Sequence, residues 1–262
     1  MLRVTRTLRC LARDIEIARG RLESLGYKKR AVNGRGNSRD ILSLHGRRRG
    51  KKLSYQRNLL LRTLLPRLSL DVSRPIADAA CLFPNRPSTL WLEIGFGGGE
   101  HLATEARAHP RAGYIGCEIF LNGIAKALAH IEAGQLHNVR LYNGDARVVI
   151  EALPPGSLAG AYVLYPDPWP KRRHRERRLL SCDTLERLAR VMCPGAELRF
   201  ATDIDTNAGW TLAQILHSSH FIWRPSGALD WRVAWEGWSG SRYEAKALRG
   251  GRRPIYFTFL RK

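Results

Sequence analysis

The stretch TLWLEIGFGGGE, Thr89 to Glu100, runs from an apolar segment directly into a glycine-rich turn. The apolar residues up to Ile94 are typical of a buried strand, and the glycines let the backbone bend tightly and approach a ligand closely. The residues that follow, GGEHLATEARAHP, have the composition of a helix. A strand, a glycine turn and a helix in this order predict the ligand-binding edge of an open α/β sheet.

The same alternation of strands and helices continues after this first unit. Further strands are predicted in GYIGCE, VRLYNGD, LAGAYVLYP, GAELRFATD and PIYFTFLRK. Helices are predicted in LNGIAKALAHIEAG, in a short segment ending at Leu153, in RRLLSCDTLERLARVM and over Thr206–His217. This pattern indicates an α/β fold with a doubly wound, mostly parallel sheet and helices on both faces. We expect the last strand to be antiparallel.

The sequence before this pattern is basic and divides into two parts. Residues 1–40 are Arg-rich with weak periodicity, and we predict a flexible tail there, although their opening also resembles an amphipathic transit peptide. We predict a single domain over residues 41–262, with a basic segment at residues 45–52 near its start. Ser54 is the predicted N-cap of a helix that ends at Pro66. The apolar stripe of that helix consists of Leu59, Leu60, Leu64 and Leu65.

Positive charge dominates the composition. The chain has 44 Lys and Arg against 23 Asp and Glu, a formal net charge of +21. Residues 1–52 hold 16 of those cations and 4 of the acids, so this part carries +12 and the remainder +9. Such a field favours polyanions, because each neutralised phosphate releases counterions. We therefore expect a nucleic acid partner; the alternative is a solvated basic surface without a ligand.

The sequence also argues against several classes of protein. No apolar run approaches the roughly 18 residues of a membrane span, so we expect no membrane insertion. No C-x-x-C pair and no H-E-x-x-H motif occur, so neither a disulfide framework nor a metal site is expected. The 5 cysteines are scattered, which suits a reducing compartment, and we predict a cytoplasmic protein. They are Cys10, Cys81, Cys117, Cys182 and Cys193.

The glycine turn departs from the fingerprint of nicotinamide-binding proteins. That fingerprint is G-x-G-x-x-G, and Gly95 and Gly97 fit its first two positions, but Glu100 stands where the third glycine belongs. Glu93 lies directly before the turn, and its carboxylate would repel a pyrophosphate. A ligand that has an amino group and no phosphate suits this acid.

Two further acids are predicted at the ends of strands. Glu118 ends the second strand, where an acid accepts hydrogen bonds from a ribose diol, and Asp145 ends the third, within reach of an adenine amino group. Alone, either acid is equally consistent with a helix cap or a surface charge. Together with the glycine turn, and without a phosphate-binding lysine, the two acids favour S-adenosylmethionine over NAD or ATP.

The segment YPDPWPKRRHRERR, residues 165–178, combines an acid, an aromatic ring and a basic run after the fourth strand. Pro166 and Pro168 fix their own φ angles and restrict the residues before them, so Asp167 is held stiffly. Trp169 can stack on a base. Five arginines can contact phosphates: Arg172, Arg173, Arg175, Arg177 and Arg178. The simpler alternative is a proline turn followed by the solvated start of a basic helix.

Five stretches together resemble the bacterial tRNA (guanine-N7)-methyltransferase family: LEIGFGGGEHL, GCEIF, YPDPWPKRRHRERRL, FATDID and SRYEAKALRGG. In addition, HGRRRGKKLS resembles the basic segment that precedes the fold in that family. The resemblance runs from about Ser43 onward and leaves residues 1–40 outside. It implies a Rossmann-like class I methyltransferase fold with S-adenosylmethionine as the cofactor. It also implies methylation at N7 of a guanosine in the variable loop of tRNA.

The resemblance implies roles for individual residues. Asp167 falls on the catalytic position, which also lies near the cofactor. The cofactor positions are Glu93, Glu118, Asp145 and Asp167, to which the glycine turn adds Gly95 and Gly97. The substrate positions are Lys171, Asp203, Ser241, Arg242, Tyr243 and Glu244. Ser241 keeps the hydroxyl of the family's usual Thr, whereas the residues after Glu244, AKALRGG, depart from the usual pattern.

Three other functions remain open at this point. A methyltransferase that acts on another RNA position or on protein would use the same cofactor edge. An NAD(P)-dependent oxidoreductase is more remote, since Glu93 and the incomplete fingerprint oppose it. The third is a basic RNA-binding module without catalysis. We expect a monomer without an obligatory protein partner, and we assign no chemistry to Trp223, Trp231, Trp235 and Trp238.

Overall fold

The structure is a computed structural model that describes residues 48–262. The tail predicted over residues 1–40 and the first part of the basic segment at residues 45–52 lie outside the described residues. None of the helices between residues 48 and 262 has the length and apolar character that crossing a bilayer requires.

One sheet contains seven strands: β1 (Leu90–Ile94), β2 (Gly113–Glu118), β3 (Val139–Asn143), β4 (Leu158–Leu164), β5 (Met192–Thr202), β6 (Phe221–Trp223) and β7 (Ile255–Arg261). Their order across the sheet is β3-β2-β1-β4-β5-β7-β6. The first five strands are parallel, and β7 lies antiparallel between β5 and β6. The sheet is thus parallel up to β5 and antiparallel beyond it.

The helices follow the strands in the predicted alternation. They are α1 (Tyr55–Thr63), α2 (Leu65–Leu68), α3 (Glu100–Ala108), α4 (Leu121–Ala133), α5 (Ala146–Ala152), α6 (Cys182–Val191), α7 (Asp205–His217) and α8 (Arg242–Arg249). Short 3₁₀ turns lie at Ala79–Leu82, Arg172–Arg177 and Asp230–Arg232.

Helices cover both faces of the sheet, because successive strand residues point to opposite sides. On one face, α1, α3 and α4 bury an apolar cluster that includes Leu60, Leu102 and Leu128. On the other face, α5, α6 and α7 bury a larger cluster that includes Ile150 and Leu188. The predicted fold, a doubly wound and mostly parallel sheet whose last strand is antiparallel, is confirmed.

The strand order places the two sequence motifs beside each other. The chain moves outward from β1 to β3 and then returns to β4 on the other side of β1. Ligands of open α/β sheets bind at such a reversal, beyond the carboxyl ends of the strands. The glycine turn follows β1 and the P-D-P-W-P segment follows β4, so both motifs border the crevice between the ends of β1 and β4.

The first helix differs from its prediction in two details. Ser54 caps α1 as expected, with its Oγ accepting a hydrogen bond from the Arg57 backbone N–H at 3.4 Å. Leu59 is exposed, however, and Leu61 packs on the core in its place. Pro66 does not end α1; it lies in the first turn of α2, where a missing N–H leaves no bond unmade.

Two later boundaries were also predicted wrongly. The helix predicted over all of RRLLSCDTLERLARVM, which starts at Arg177, begins only at Cys182, because Ser181 caps it and accepts a hydrogen bond from the Thr184 N–H. β5 begins at Met192 rather than near Gly195, and its pairing with β4 shifts register near the start. The three-residue strand β6 had no sequence signal long enough to identify it.

The tryptophans near the end of the fold take part in packing. Trp235 and Trp238 pack with Tyr162 and Tyr256 in a third apolar cluster. Trp223 and Trp231 border the larger core cluster. The four tryptophans to which we assigned no chemistry thus have packing roles in the structure.

Candidate active site

The glycine turn after β1 is left-handed and open toward the crevice. Gly95 has φ 76° and Gly97 has φ 58°, values that residues with side chains rarely adopt. Nothing lies within 4 Å of the point where a side chain on Gly95 would begin. The turn therefore exposes its backbone to a ligand in the crevice.

Glu118, at the end of β2, holds the turn in shape. Its Oε2 accepts from the Gly97 N–H at 2.7 Å, and its Oε1 accepts from the N–H groups of Ile119 at 2.8 Å and Phe120 at 2.9 Å. A carboxylate offers about four acceptor positions, so roughly one remains for a ligand hydroxyl. Burial raises the pKa of the Glu118 carboxyl, these N–H donors partly offset the rise, and the charge of nearby Asp167 adds to it.

Asp145, after β3, is paired with its own helix. Its carboxylate caps α5 by accepting from the Arg147 N–H at 3.0 Å. The Arg147 side-chain Nε also lies 3.0 Å from Oδ1 and 2.9 Å from Oδ2. Sequence analysis missed this arginine. An amino group binding at Asp145 therefore has to share the carboxylate with Arg147.

Glu93 lies in β1, two residues before Gly95, and is shielded from solvent. Its side chain is buried, and its Oε2 accepts from His101 Nδ1 at 2.8 Å. The other ring nitrogen of His101 lies 4.0 Å from Glu105, which in turn accepts from the Tyr162 hydroxyl at 3.0 Å. Sequence analysis missed His101. The only sequence signal for this pairing was that His101 lies in the first turn of α3, the helix that follows the strand of Glu93.

The ionisation of His101 follows from its neighbours. Burial alone would lower the pKa of this histidine, but the charge of Glu93 and the hydrogen bond to it outweigh burial, and Glu105 adds to them. The resulting pKa of His101 is raised, so the ring keeps its proton to higher pH than a free histidine does. A protonated His101 balances the negative charge of Glu93 inside the protein.

The acidic side chains around the turn fit a cationic nucleoside ligand better than a dinucleotide. Glu118, Asp145 and Asp167 follow the ends of three strands at the same sheet edge, and Glu93 lies beneath them. Arg147 offsets the charge of Asp145 and His101 that of Glu93, so Glu118 and Asp167 supply the negative charge that repels a pyrophosphate and attracts an amino group or a sulfonium. The open backbone at Gly95 and the free acceptor position on Glu118 suit an adenosine ribose. The residues therefore fit S-adenosylmethionine.

The P-D-P-W-P segment after β4 is a strained corner. Tyr165 has φ 51° and Trp169 has φ 42°, left-handed values that cost energy for residues with large side chains. The Tyr165 N–H donates to the Ala201 carbonyl at 2.7 Å, which ties the corner to β5. Asp167 lies between these two strained residues and is exposed. The stiffness predicted from its flanking prolines is thus reinforced by the backbone on both sides.

Arg178 is one of the arginines that we expected to contact phosphates, and the structure places its guanidinium against this corner. Its Nε donates to the Pro168 carbonyl at 2.8 Å, and its Nη1 donates to the Thr206 carbonyl at 3.0 Å. Its guanidinium also lies over the Trp210 ring, 5.5 Å from the centroid. Arg177 lies over Trp169, so this ring already has one cation against it.

The remaining acid on this side is held by a distant arginine. Asp203, just beyond β5, accepts from Arg252 Nε at 2.6 Å, and its own side chain is largely buried. Sequence analysis missed Arg252, which lies 49 residues away. Lys171 precedes the 3₁₀ turn after the corner and is exposed.

The predicted substrate stretch forms the start of α8. Ser241 caps this helix, with its Oγ accepting from the Glu244 N–H at 3.1 Å, a bond that only requires the hydroxyl. The Glu244 carboxylate turns inward, accepting from Trp238 Nε1 at 2.6 Å and from the Tyr256 hydroxyl at 2.7 Å. These two bonds use about half of the acceptor positions of the carboxylate. Glu244 therefore anchors α8 and keeps acceptor positions for a substrate.

Arg242 and Tyr243 lie over the glycine turn. The Tyr243 ring lies 3.4 Å and the Arg242 guanidinium 3.5 Å from the point where a side chain on Gly97 would begin. Arg242 Nη2 donates to the Tyr243 hydroxyl at 2.9 Å, and both side chains are exposed. The predicted substrate stretch therefore meets the predicted cofactor turn directly.

A seven-stranded sheet of this order, with an antiparallel β7 and a glycine turn after β1, defines a class I methyltransferase fold. The sequence model of a family described as putative methyltransferase matches residues 87–254. Three curated relatives carry the name tRNA (guanine-N(7)-)-methyltransferase. The relative from Brucella melitensis biotype 1 is 49% identical, with 83% of this chain and 94% of the relative covered.

The other two relatives are similarly close. The one from Azorhizobium caulinodans is 48% identical over 84% of this chain and 95% of its own length. The one from Mesorhizobium japonicum is 47% identical over 86% and 97%. The chain belongs to the tRNA (guanine-N7)-methyltransferase family.

Proposed function

We propose that this protein transfers a methyl group from S-adenosylmethionine to N7 of a guanosine in the variable loop of tRNA. The contact of Arg242 and Tyr243 with the turn at Gly97 is the main structural support, because it joins the two predicted subsites. Family membership and the crevice between β1 and β4 support the same conclusion. The strong positive charge of the chain favours a polyanionic substrate.

The proposed site has two sides. Glu93, Gly95, Gly97, Glu118, Asp145 and Asp167 are assigned to the cofactor side. Lys171, Asp203, Ser241, Arg242, Tyr243 and Glu244 are assigned to the substrate side, Glu244 through its anchoring of α8. Both sides belong to the single domain proposed over residues 41–262.

Positioning is the main demand of this chemistry. When bound, S-adenosylmethionine supplies an electrophilic methyl group attached to a sulfonium. The N7 lone pair of guanine lies in the ring plane and carries no proton, so no base has to remove one first. The protein must align N7 with the bond that breaks, and such alignment can supply much of the reduction in barrier. The strained backbone at Tyr165 and Trp169 and the Arg178 clamp hold this geometry in advance.

Asp167 is the proposed catalytic residue. The methylated base becomes a cation, and a nearby carboxylate stabilises the charge as it develops. The same carboxylate can accept hydrogen bonds from N1–H and the exocyclic amine of guanine. Asp203 is the second candidate for the base edge, with its charge already balanced by Arg252. If the guanosine is buried in folded tRNA, it has to be turned out, and Tyr243 and Trp169 offer aromatic surfaces for it.

The location and assembly of the protein remain predictions. The cysteines between residues 48 and 262 form no disulfide bonds with one another, which suits the reducing cytoplasm that we expect. We also expect a monomer without an obligatory partner.

A methyl-transfer assay tests the proposed function. Purified protein is incubated with labelled S-adenosylmethionine and unmodified tRNA, and the digested nucleosides are separated. We expect label in 7-methylguanosine, and none when the variable-loop guanosine is replaced by adenosine. Label in another nucleoside would keep the cofactor and overturn the substrate. Cofactor binding without any transfer to tRNA would favour another acceptor or a non-catalytic RNA-binding protein.

A further inference from the structure

The side chain of Asn122 makes two of the three hydrogen bonds that hold residues 48–52, the described part of the basic segment, on α4. Asn122, in the first turn of α4, accepts from the Gly50 N–H through Oδ1 at 2.6 Å. The same side chain donates from Nδ2 to the Lys51 carbonyl at 2.7 Å. One residue earlier in α4, the Leu121 N–H donates to the Arg48 carbonyl at 2.9 Å. Three hydrogen bonds thus hold a segment that has no helix or strand of its own.

The fit leaves no room for a side chain at position 50. The Cβ of an alanine there would lie 2.9 Å from Asn122 Cγ and 3.0 Å from the Phe120 ring. Both distances are shorter than ordinary van der Waals contacts. Gly50 is therefore needed for close approach, and an amide is needed at position 122 because it both donates and accepts.

The attachment point lies beside the cofactor turn. A side chain on Gly123, the residue after Asn122, would collide with the Gly97 carbonyl, so the start of α4 packs directly on the turn. Phe120, two residues before Asn122, donates its N–H to Glu118. The backbone of this segment is consequently held beside the turn, and the exposed side chains of Arg48, Lys51 and Lys52 extend from it.

We propose that Asn122 is a positioning residue for tRNA. It holds residues 48–52 on α4, a contact that we call the latch, so that their cations meet the RNA backbone as the target base reaches the crevice. This inference rests on the proposed function. A tethered cation loses less conformational freedom on binding than one on a free tail, so the latch raises affinity without touching RNA itself. Asn122 acts through the segment and makes no contact with the reacting atoms.

The test compares tRNA binding by full-length variants at several salt concentrations. Asn122→Ala removes both amide bonds, and Gly50→Ala disrupts the same latch from the other side. We expect each to weaken the Kd for unmodified tRNA about tenfold. The slope of log Kd against log salt should fall by about two, since each lost phosphate contact removes about 0.9. The Kd for S-adenosylhomocysteine should stay within about twofold of wild type.

Two controls sharpen the comparison. Asn85→Ala removes an exposed amide that makes one long bond to Pro110, and it should change neither the tRNA Kd nor the salt slope. Replacing Lys51 and Lys52 by alanine should weaken binding less in the Asn122→Ala background than in wild type, because the cations are already misplaced there.

The outcomes separate this inference from the proposed function. A wild-type protein that methylates tRNA, with both latch variants binding like wild type, overturns the latch alone. Loss of S-adenosylhomocysteine binding in Asn122→Ala also overturns it, since the residue would then act on the cofactor side. A wild-type protein that neither binds nor methylates tRNA overturns both.

Discussion

The cofactor half and the substrate half of the crevice are held together by contacts of different range. In the cofactor half, Glu118 binds the N–H groups of the two residues after it and that of Gly97, 21 residues away, and Asp145 pairs with a residue two positions on. In the substrate half, Asp203 pairs with Arg252 across 49 residues. Arg178 reaches Thr206 across 28.

This difference separates two kinds of fragility. Local contacts form whenever their own short segment folds, so the cofactor half tolerates changes elsewhere. Distant contacts exist only when several elements are packed correctly. Changes in the substrate half should therefore damage catalysis while leaving cofactor binding intact, and the predictions below test that separation.

The largest effect is expected at Asp167. Asp167→Asn keeps the size of the side chain and removes its charge, so kcat should fall about 100- to 1,000-fold. The thermal midpoint should change little. Asp167 is also assigned to the cofactor side, but S-adenosylhomocysteine lacks the sulfonium charge, so its Kd should change far less than kcat. Steady-state rates with saturating tRNA measure the effect, and Asp71→Asn, an exposed acid far from β4 in the sequence, is the control. Wild-type kinetics in Asp167→Asn would remove this residue from the catalytic role.

A change at Arg178 tests whether this residue holds the P-D-P-W-P corner or contacts an RNA phosphate. Arg178→Lys keeps the charge but cannot donate in one plane to both the Pro168 and Thr206 carbonyls. Displacing the corner by a fraction of an ångström to 1 Å should lower kcat about 10- to 100-fold. The salt dependence of tRNA binding should stay as in wild type.

Arg173→Ala is the matched control for this clamp, since Arg173 is an exposed member of the same basic run. It should lower the salt slope by about one, with little change in kcat. If Arg178→Lys instead reduced the salt slope and spared kcat, Arg178 would be a phosphate contact after all.

A change at Glu244 tests whether the bonds to Trp238 and Tyr256 hold the substrate stretch in place. Glu244→Gln turns two charge-assisted hydrogen bonds into weaker neutral ones, with the amide oxygen accepting from Trp238 and the Tyr256 hydroxyl accepting from the amide N–H. We expect a loss of about 1–2 kcal/mol in the free energy of unfolding, measured by urea titration. Glu236→Gln, at an exposed site nearby, should be neutral. Full stability in Glu244→Gln would leave direct substrate contact as the better role.

The smallest effect concerns pH and belongs to the cofactor half. The pKa of His101 is raised in the folded protein, so the folded state binds its proton more tightly than the unfolded state. The stabilising contribution is complete below the ordinary histidine pKa of about 6.5 and is lost as pH rises through the folded value. The free energy of unfolding should therefore fall on going from pH 6 toward higher pH.

His101→Gln removes this titration while keeping a polar side chain beside Glu93. The pH dependence of its unfolding, subtracted from that of wild type, isolates the contribution of His101. A difference that is flat with pH, or that rises with it, would contradict the assigned partnership with Glu93.

The range of these contacts also explains how much the sequence could predict. The strands, the glycine turn and the cap at Ser54 are encoded in neighbouring residues, and they were predicted. The acids were found at strand ends for the same reason. The sequence analysis missed His101, Arg147, Arg252 and the structural use of Arg178. Nothing in a linear sequence says which of 44 lysines and arginines, or which of 8 histidines, meets which carboxylate or carbonyl. The short β6 was missed because three residues carry too little pattern.

The place of β7 between β5 and β6 has a consequence for the order of folding. β6 precedes β7 in the chain but bonds to the sheet only through it, so Phe221–Trp223 must wait for Ile255–Arg261 to dock first. Cofactor-side strands need no such wait, since β1, β2 and β3 pair with strands made close in time. A nascent chain should thus complete the proposed cofactor edge before it completes the end of the sheet beside α8, which makes the proposed substrate stretch at Ser241–Glu244 the last part of the site to mature and the first to be lost in a stalled or truncated chain.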